Sequence, residues 1–465
     1  MNKTKIVCSI GPASCSVETL EKMIDAGMNV ARFNMSHGCH ASHKEMIENV
    51  KIARNNKSVA VAILIDTRGP EIRIKQFEKG PIVLTEGAKF TLTTKDVVGN
   101  CEKVSVTYKN LPKILKKGEK ILLNDGIVEL KVEKCTACQV ECSVVHGGEL
   151  SNNKSLNIPG VKTDMPYLSE TDKKDILFAK EMNADYIAIS FVNSEKDVKD
   201  VKQYLKEINF KNAKIISKIE SQDGVKNFDK ILKVSDGIMV ARGDLGVEVD
   251  FVKIPIIQKE IIKKCNLAGK VVITATQMLE SMIYNARPTR AEISDVANAI
   301  FDGTTAIMLS GETASGLHPI ESVNTMKNIA NETEQFAQNK NFEIHTTNTS
   351  ESLGYAVYAL SKTQNVKAIV VVTKSGETAE NISRFFPNVP IIACTPEKEV
   401  FHKLSLLYGV LPVLDKSFDN MQDVSKSALK KALSTKLVKK GQNVVYVSGQ
   451  TAGKSGSNSM LITKL

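Results

Sequence analysis

The segments I-I-S-K-I-E-S (215–221) and S-D-G-I-M-V-A-R-G-D-L-G-V-E (235–248) each run an apolar stretch straight into charged residues. Unbroken apolar runs fit strands buried on both faces, as in a parallel sheet covered by helices. Lys218 and Glu220 stand at the end of the first run, and Asp244 at the end of the second. Working outward, similar runs occur at Thr4–Ser9, Asn29–Phe33, Val59–Asp66, Asp185–Phe191, Val271–Ala275 and Ala306–Ser310. Amphipathic stretches separate most of them. Ser16 opens one helix and Gly27 closes it, and Glu248–Ala268 carries another ahead of Gly269. Eight strands, seven of them followed directly by a helical pattern, predict an α/β fold built on a (β/α)8 barrel.

One connection is too long for a single helix. Between Asp66 and Asp185 lie over a hundred residues. Short strands are expected there at Ile82–Thr94, Lys103–Thr107, Lys120–Leu123, Ile127–Val132 and Val140–Val145, split by Gly, by Asn-Asp-Gly (124–126) and by polar turns. An all-β domain inserted at the C-terminal end of the third strand lies over the face where barrel active sites form, as a lid would. Pro70, Pro159 and Pro166 suit stiff hinges. The polar stretch Asn339–Ser350 reads as a linker. Strands at Lys367–Thr373, Val389–Cys394, Val410–Leu414 and Asn443–Ser448 then predict a C-terminal α/β domain with a mostly parallel sheet. The expected domains are 1–68 with 165–339 (barrel), 69–164 (lid) and 340–465 (C-terminal, regulatory).

A formal charge of +10 suits anionic substrates, although a lysine-rich soluble surface accounts for most of it. No arginine-rich tract with interleaved aromatics points to nucleic acid. No apolar run approaches the roughly 20 residues of a membrane span. Nine cysteines without a secretory pattern suggest reduced thiols in the cytoplasm. Cys135, Cys138, Cys142 and His146 have a spacing compatible with zinc, but the alternation around them reads better as a hairpin with cysteines as small apolar residues. Of His37, His40 and His43, the last two are expected on the surface. Gly449–Ser455 resembles a phosphate loop, yet it is one residue short between its glycines and too near the end for a following helix.

Catalytic candidates in a barrel sit at the C-terminal strand ends. Those ends read Arg32-Phe33-Asn34-Met35-Ser36-His37, Asp66-Thr67-Arg68-Gly69-Pro70-Glu71-Ile72-Arg73, Lys218 with Glu220, Arg242-Gly243-Asp244, Thr276-Gln277 and Ser310-Gly311-Glu312-Thr313. Carboxylates can hold a divalent ion, arginines match phosphate oxygens, and glycine lets backbone approach a ligand. Every chemical type needed for metal-assisted phosphoryl transfer is present. The structural alternative is a surface network of ion pairs.

These residues resemble the pyruvate kinase family. The similarity spans essentially the whole chain: T-K-I-V-C-S-I-G-P-A-S (4–14), G-M-N-V-A-R-F-N-M-S-H-G (27–38), D-T-R-G-P-E-I-R (66–73), S-K-I-E (217–220), M-V-A-R-G-D-L-G (239–246), A-T-Q-M-L-E-S-M (275–282), R-P-T-R-A-E (287–292) and M-L-S-G-E-T-A (308–314). The resemblance implies transfer of a phosphoryl group from phosphoenolpyruvate to ADP, giving pyruvate and ATP, as the last step of glycolysis. It implies that Lys218 faces the transferring group and that Glu220 and Asp244 bind Mg2+ or Mn2+. Gly243 and Asp244, by their backbone, and Thr276 would hold the substrate carboxylate, Thr276 lying where the enolate is protonated. Arg32 would contact the substrate phosphate, Arg73 and Lys154 the nucleotide phosphates, with Asn34 and His37 beside the nucleotide. Asn34, Ser36, Asp66 and Thr67 match K+ ligands, and Glu71 is the residue type of K+-dependent members, where K+-independent ones carry lysine. Thr373, Lys374, Ser375, Gly376 and Thr378 resemble an effector-phosphate loop, for a sugar phosphate or nucleoside monophosphate, although Glu377 would repel a phosphate. The tail Ser448–Ser459 matches a second effector loop loosely. A homotetramer is likewise implied. The competing readings are another barrel enzyme acting on phosphoenolpyruvate or pyruvate, and a catalytically silent binding homologue. Neither accounts as well for the intact set of charged residues.

Overall fold

Eight parallel strands close into a barrel in the computed structural model, which describes residues 2–337, 346–415, 421–449 and 458–465, without the side chains of 421–423. They are Lys5–Ser9, Val30–Asn34, Ala62–Asp66, Tyr186–Ile189, Lys214–Ile219, Gly237–Ala241, Val271–Ala275 and Ala306–Leu309. Neighbours in sequence are neighbours in space, and the last strand pairs with the first. Two expected strands were too long. Ser58 has φ +54° and Val59 is exposed, so the third strand starts only at Ala62. Phe191 has φ +53°, which turns the chain out of the fourth strand after Ile189.

Local chemistry sets the helices. Ser16 accepts from Thr19 N, and Gly27 closes the Val17–Ala26 helix at φ +123°. The expected Glu248–Ala268 helix divides. A short helix, Arg242–Glu248, follows the sixth strand directly, a 3-10 turn spans Phe251–Lys253, and Ile254–Ala268 begins afresh. The Asp250 side chain caps Val252 N, and Pro255 in the new first turn has no N–H to continue an earlier helix.

The insertion after the third strand is all-β apart from the four-residue helix Leu111–Ile114. Its six-stranded sheet runs Leu156–Asn157, Lys120–Leu123, Val128–Cys135, Gln139–His146, Lys89–Thr93 and Lys103–Ser105, and a smaller pair joins Ile82–Leu84 to Gly148–Leu150. Gly87, at φ +78°, breaks the expected Ile82–Thr94 strand in two. The cysteine hairpin forms, with Cys135 opposite Val140 and His146 opposite Glu129. That register spreads the four zinc-like residues along the hairpin, and Cys142 is buried in the lid core.

The C-terminal sheet has the order Val410–Leu414, Ile391–Thr395, Val366–Val372, Asn443–Ser448 and Ser459–Lys464. The first four are parallel. The last, which the sequence did not suggest, is antiparallel and occupies the edge. Residues 450–457, the heart of the phosphate-loop and tail-effector readings, and 339–345 of the expected linker lie outside the described residues.

This unit plugs the N-terminal mouth of the barrel. Leu406, in the 3-10 turn Leu404–Leu406, is fully buried in the same cluster as barrel-interior Val7, Val30, Leu64, Ile216 and Met239. Polar bonds ring it. Lys5 Nζ donates to Val410 O (2.6 Å), Ala62 N to Ser405 Oγ (3.2 Å), Ser405 Oγ to Asn29 O (2.9 Å) and Tyr186 OH to Lys403 O (2.8 Å). Burial in this joint pulls the Lys5 ammonium down to about 7, against the opposing pull of Glu334. Leu406→Ala is expected to cost about 2–5 kcal/mol, the transfer term plus a cavity that a closed barrel collapses poorly. Urea denaturation reads this directly, and an unshifted midpoint would refute it.

Candidate active site

The second and third strands pair so that Asn34 lies opposite Asp66. Arg32, two residues back, donates from Nε to Asp66 Oδ2 (2.7 Å) and from Nη1 to Ser9 Oγ (2.7 Å). On the other side of Asp66, Lys218 Nζ lies 3.1 Å from Oδ1, 2.9 Å from Glu220 Oε1 and 2.7 Å from Ser190 Oγ. Two cations therefore share one fully buried carboxylate. Burial alone would raise the Asp66 pKa, but Lys218 and Arg32 outweigh it and hold it low. For Lys218, burial pulls down and is outweighed by Asp66 and Glu220, so the ammonium stays charged.

Glu220 is the strained member. It is fully buried, and burial with the nearby Asp244 and Asp66 pushes its pKa up, against the pull of Lys218. Oε2 accepts from Phe191 N (2.6 Å), the amide that the left-handed turn after the fourth strand brings in. Oε1 has the ionic contact with Lys218 but no hydrogen bond. The Asp244 carboxylate accepts none from any described residue. Two carboxylates, with Asp244 close enough to raise the proton affinity of Glu220, form a donor set that fits a divalent cation.

The seventh strand ends in a strained turn. Thr276 has φ +66° and Gln277 φ +53°, a region costly for a β-branched residue. Arg242, itself buried, clamps it. Its Nη2 donates to Thr276 O (2.7 Å) and Gln277 O (2.9 Å), its Nε to Thr276 O (3.2 Å), and its Nη1 to both oxygens of Asp295 (2.9 and 2.7 Å). Gly243 N donates to Thr276 Oγ1 (2.7 Å), which donates to Ala275 O (2.6 Å). The amide and hydroxyl expected to hold a substrate carboxylate thus bond each other here.

Under the lid, Glu71 Oε2 accepts from Arg73 Nε and Nη2, each at 2.8 Å. Arg73 also reaches Asn153 O (2.7 Å), and Ile74 N bonds Lys154 O, so the two lid segments with nucleotide candidates are joined. Partial burial lowers the His37 pKa, and the charges of Arg73, Arg32, Lys154 and Arg68 lower it further. A positive potential of this kind suits a chain of phosphates.

Two expectations need correction or limit. His40 is exposed and pairs with Asp175 (2.6 Å), but His43 is buried, because its helix position turns inward under the 34–38 turn. The Thr373–Thr378 loop lies in the C-terminal unit, away from this constellation. It does precede a helix, Glu377–Ser383, and the Thr373 hydroxyl already accepts from Gly376 N (2.9 Å). Sequence reasoning missed Ser9 and Ser190, although both stand at C-terminal strand ends where the same rule would have found them. It also missed the clamp made by Arg242.

The chain matches the family models "Pyruvate kinase, barrel domain" over residues 1–323 and "Pyruvate kinase, alpha/beta domain" over 351–463. It is 45% identical over 468 residues to a pyruvate kinase of Staphylococcus haemolyticus, an alignment covering 99% of this chain and 80% of that one. It is also 45% identical over 466 residues to a pyruvate kinase of Geobacillus stearothermophilus, covering 99% and 79%.

Proposed function

Given that the chain belongs to the pyruvate kinase family, and so moves a phosphoryl group from phosphoenolpyruvate to ADP, we propose how its residues divide that work. The observation that carries the reading is the buried set Arg32–Asp66–Lys218–Glu220, with Asp244 beside it. A loose transition state spreads charge over the phosphoryl oxygens, so fixed cations supply most of the catalysis. Lys218 faces the transferring group and Arg32 the substrate phosphate. Asp66 holds both in place, so little reorganisation is needed when charge develops.

Glu220 and Asp244 are the residues that would hold Mg2+ or Mn2+, and the ion would neutralise phosphate charge when bound. Gly243 N, Asp244 N and Thr276 Oγ1 take the substrate carboxylate, exchanging the Gly243–Thr276 bond for bonds to the ligand. Thr276 then lies beside the enolate carbon that is protonated to give pyruvate. Arg73 and Lys154 hold the nucleotide phosphates, with Asn34 and His37 beside them.

Asn34, Ser36, Asp66 and Thr67 form the K+ site, on two strand ends in register. Glu71 keeps Arg73 neutralised by ion pairing, so K+ remains the needed charge. We assign the barrel to 1–68 and 165–339, the lid to 69–164 and the regulatory unit to 340–465. The Thr373–Thr378 loop is the candidate seat for an effector phosphate, and a homotetramer is the expected assembly. No helix among the described residues is long and apolar enough to cross a membrane. All nine cysteines are free, which suits a cytoplasmic setting.

Pyruvate formation with Mg2+, in Na+-free buffer with and without K+, tests the assignment. K+ is expected to raise the rate at least about tenfold, the equivalent of about 1.4 kcal/mol in barrier. Glu71→Lys should lower that stimulation and, by repelling Arg73, raise the KM for ADP. Equal rates with and without K+ would overturn the cation site, and no turnover would overturn the catalytic roles.

A further inference from the structure

We propose that His43 is a positioning residue for the nucleotide end of the site: its Nε2–H, donated to the His37 carbonyl, fixes the far half of the 34–38 turn, His37 with Gly38. This rests on the reading that places His37 beside the nucleotide.

His43 lies in the first turn of the His40–Asn56 helix and is only 5% exposed. Its Nε2 is 2.7 Å from His37 O. A carbonyl only accepts, so Nε2 carries the proton and Nδ1 is bare. That Nδ1 is buried with no partner among the described residues, so the ring is committed to a single bond. Phe33 meets the ring edge-on at 6.3 Å and 88°, which limits its swing.

The turn rests directly on this ring. Gly38 has φ +74°, and a Cβ built there would come within 3.3 Å of His43 Nε2 and 3.2 Å of Ser42 Oγ. The near half of the turn is held elsewhere. Ser36 N donates to Asn34 Oδ1 (3.1 Å), Met35 N to Asp66 O (2.9 Å) and Arg68 Nη2 to Met35 O (2.9 Å). The far half, His37 and Gly38, is bonded by no other described side chain. Without His43 the His37 carbonyl loses its one bond to a described side chain and the turn beyond Ser36 is freed, while Arg32 and Lys218 keep their contacts with Asp66.

The test compares His43→Phe, which keeps a ring against Phe33 but cannot donate, with His43→Gln, whose amide N–H can replace Nε2–H. His37→Ala serves as control. Calorimetric Kd for Mg–ADP and the KM values for ADP and phosphoenolpyruvate are measured on the full chain. His43→Phe is expected to weaken ADP on the order of tenfold, the scale of one buried hydrogen bond. The KM for phosphoenolpyruvate should stay within about twofold, and His43→Gln should recover most of the loss. Equal behaviour of the Phe and Gln variants, or parallel loss of both substrates, would overturn the proposal. So would an unaffected His43→Phe beside an impaired His37→Ala. An unaffected His37→Ala would remove the nucleotide reading itself, and the proposal with it.

Discussion

Lys218→Met is expected to lower kcat by at least about 10²–10³-fold, the scale of losing one preorganised charge-stabilising donor. Methionine nearly preserves the length and apolar stem of lysine, so packing changes little. What is lost is a charge already paid for in desolvation. Lys218 is held by Asp66, Glu220 and Ser190 before any substrate arrives. The variant also leaves Asp66 and Glu220 buried beside each other with one cation fewer. Breaking a buried pair from one side costs about 3–5 kcal/mol of stability unless a proton or metal replaces the charge. Glu220, whose proton affinity burial already raises, is the group expected to respond. Mn2+ titration separates the two effects: retained metal binding with collapsed kcat assigns the loss to chemistry. A kcat within threefold of the parent would refute the role of Lys218.

Arg242→Met is the second large expected effect. It removes all the guanidinium bonds to Thr276 O, Gln277 O and Asp295. Those bonds hold two non-glycine residues at positive φ, each a conformation worth about 1–3 kcal/mol of strain. Released, the turn relaxes and Thr276 Oγ1 leaves its place opposite Gly243 N. A misplacement of about 1 Å at a reacting group can cost about 10²-fold in rate, and that is the fall expected in kcat/KM for phosphoenolpyruvate. Arg242→Lys should recover little, because one ammonium cannot span two carbonyls and a carboxylate in the geometry of a planar fork. Parent-like turnover in Arg242→Met would show that the turn holds itself.

Much of this architecture was legible in the sequence, and the reason is local. Barrel strands such as Gly237–Ala241 and Ala306–Leu309 are unbroken apolar runs, and the caps at Ser16 and Gly27 act within a turn of themselves. Lys218, Glu220 and Asp244 stood out because a charge ending such a run has few structural uses. The less legible residues act at a distance. Ser190 looks like any small polar residue until the barrel closes and brings Lys218 to it. Arg242 sat in a recognised strand end, but nothing in its neighbours shows that it grips the next strand's turn. His43 follows His40 by three residues on one helix, yet one faces solvent and the other the barrel, a difference fixed by packing. The two-residue strand Leu156–Asn157 exists only beside its longer partner Lys120–Leu123, and Gly148–Leu150 only by pairing with the equally short Ile82–Leu84.

Leu406 carries a different lesson, about exchange of parts. The innermost apolar layer of the barrel is completed by a side chain that arrives from outside it, some hundred residues after the last barrel strand. A chimera that grafts another terminal unit onto this barrel therefore cannot be designed by choosing a permissive linker. It must match the incoming side chain at 406 to the space left by Val7, Val30, Leu64, Ile216 and Met239, and supply a carbonyl for Lys5. The boundary that looks natural along the chain is not a seam in the interior, and the two units must be inherited as a fitted pair.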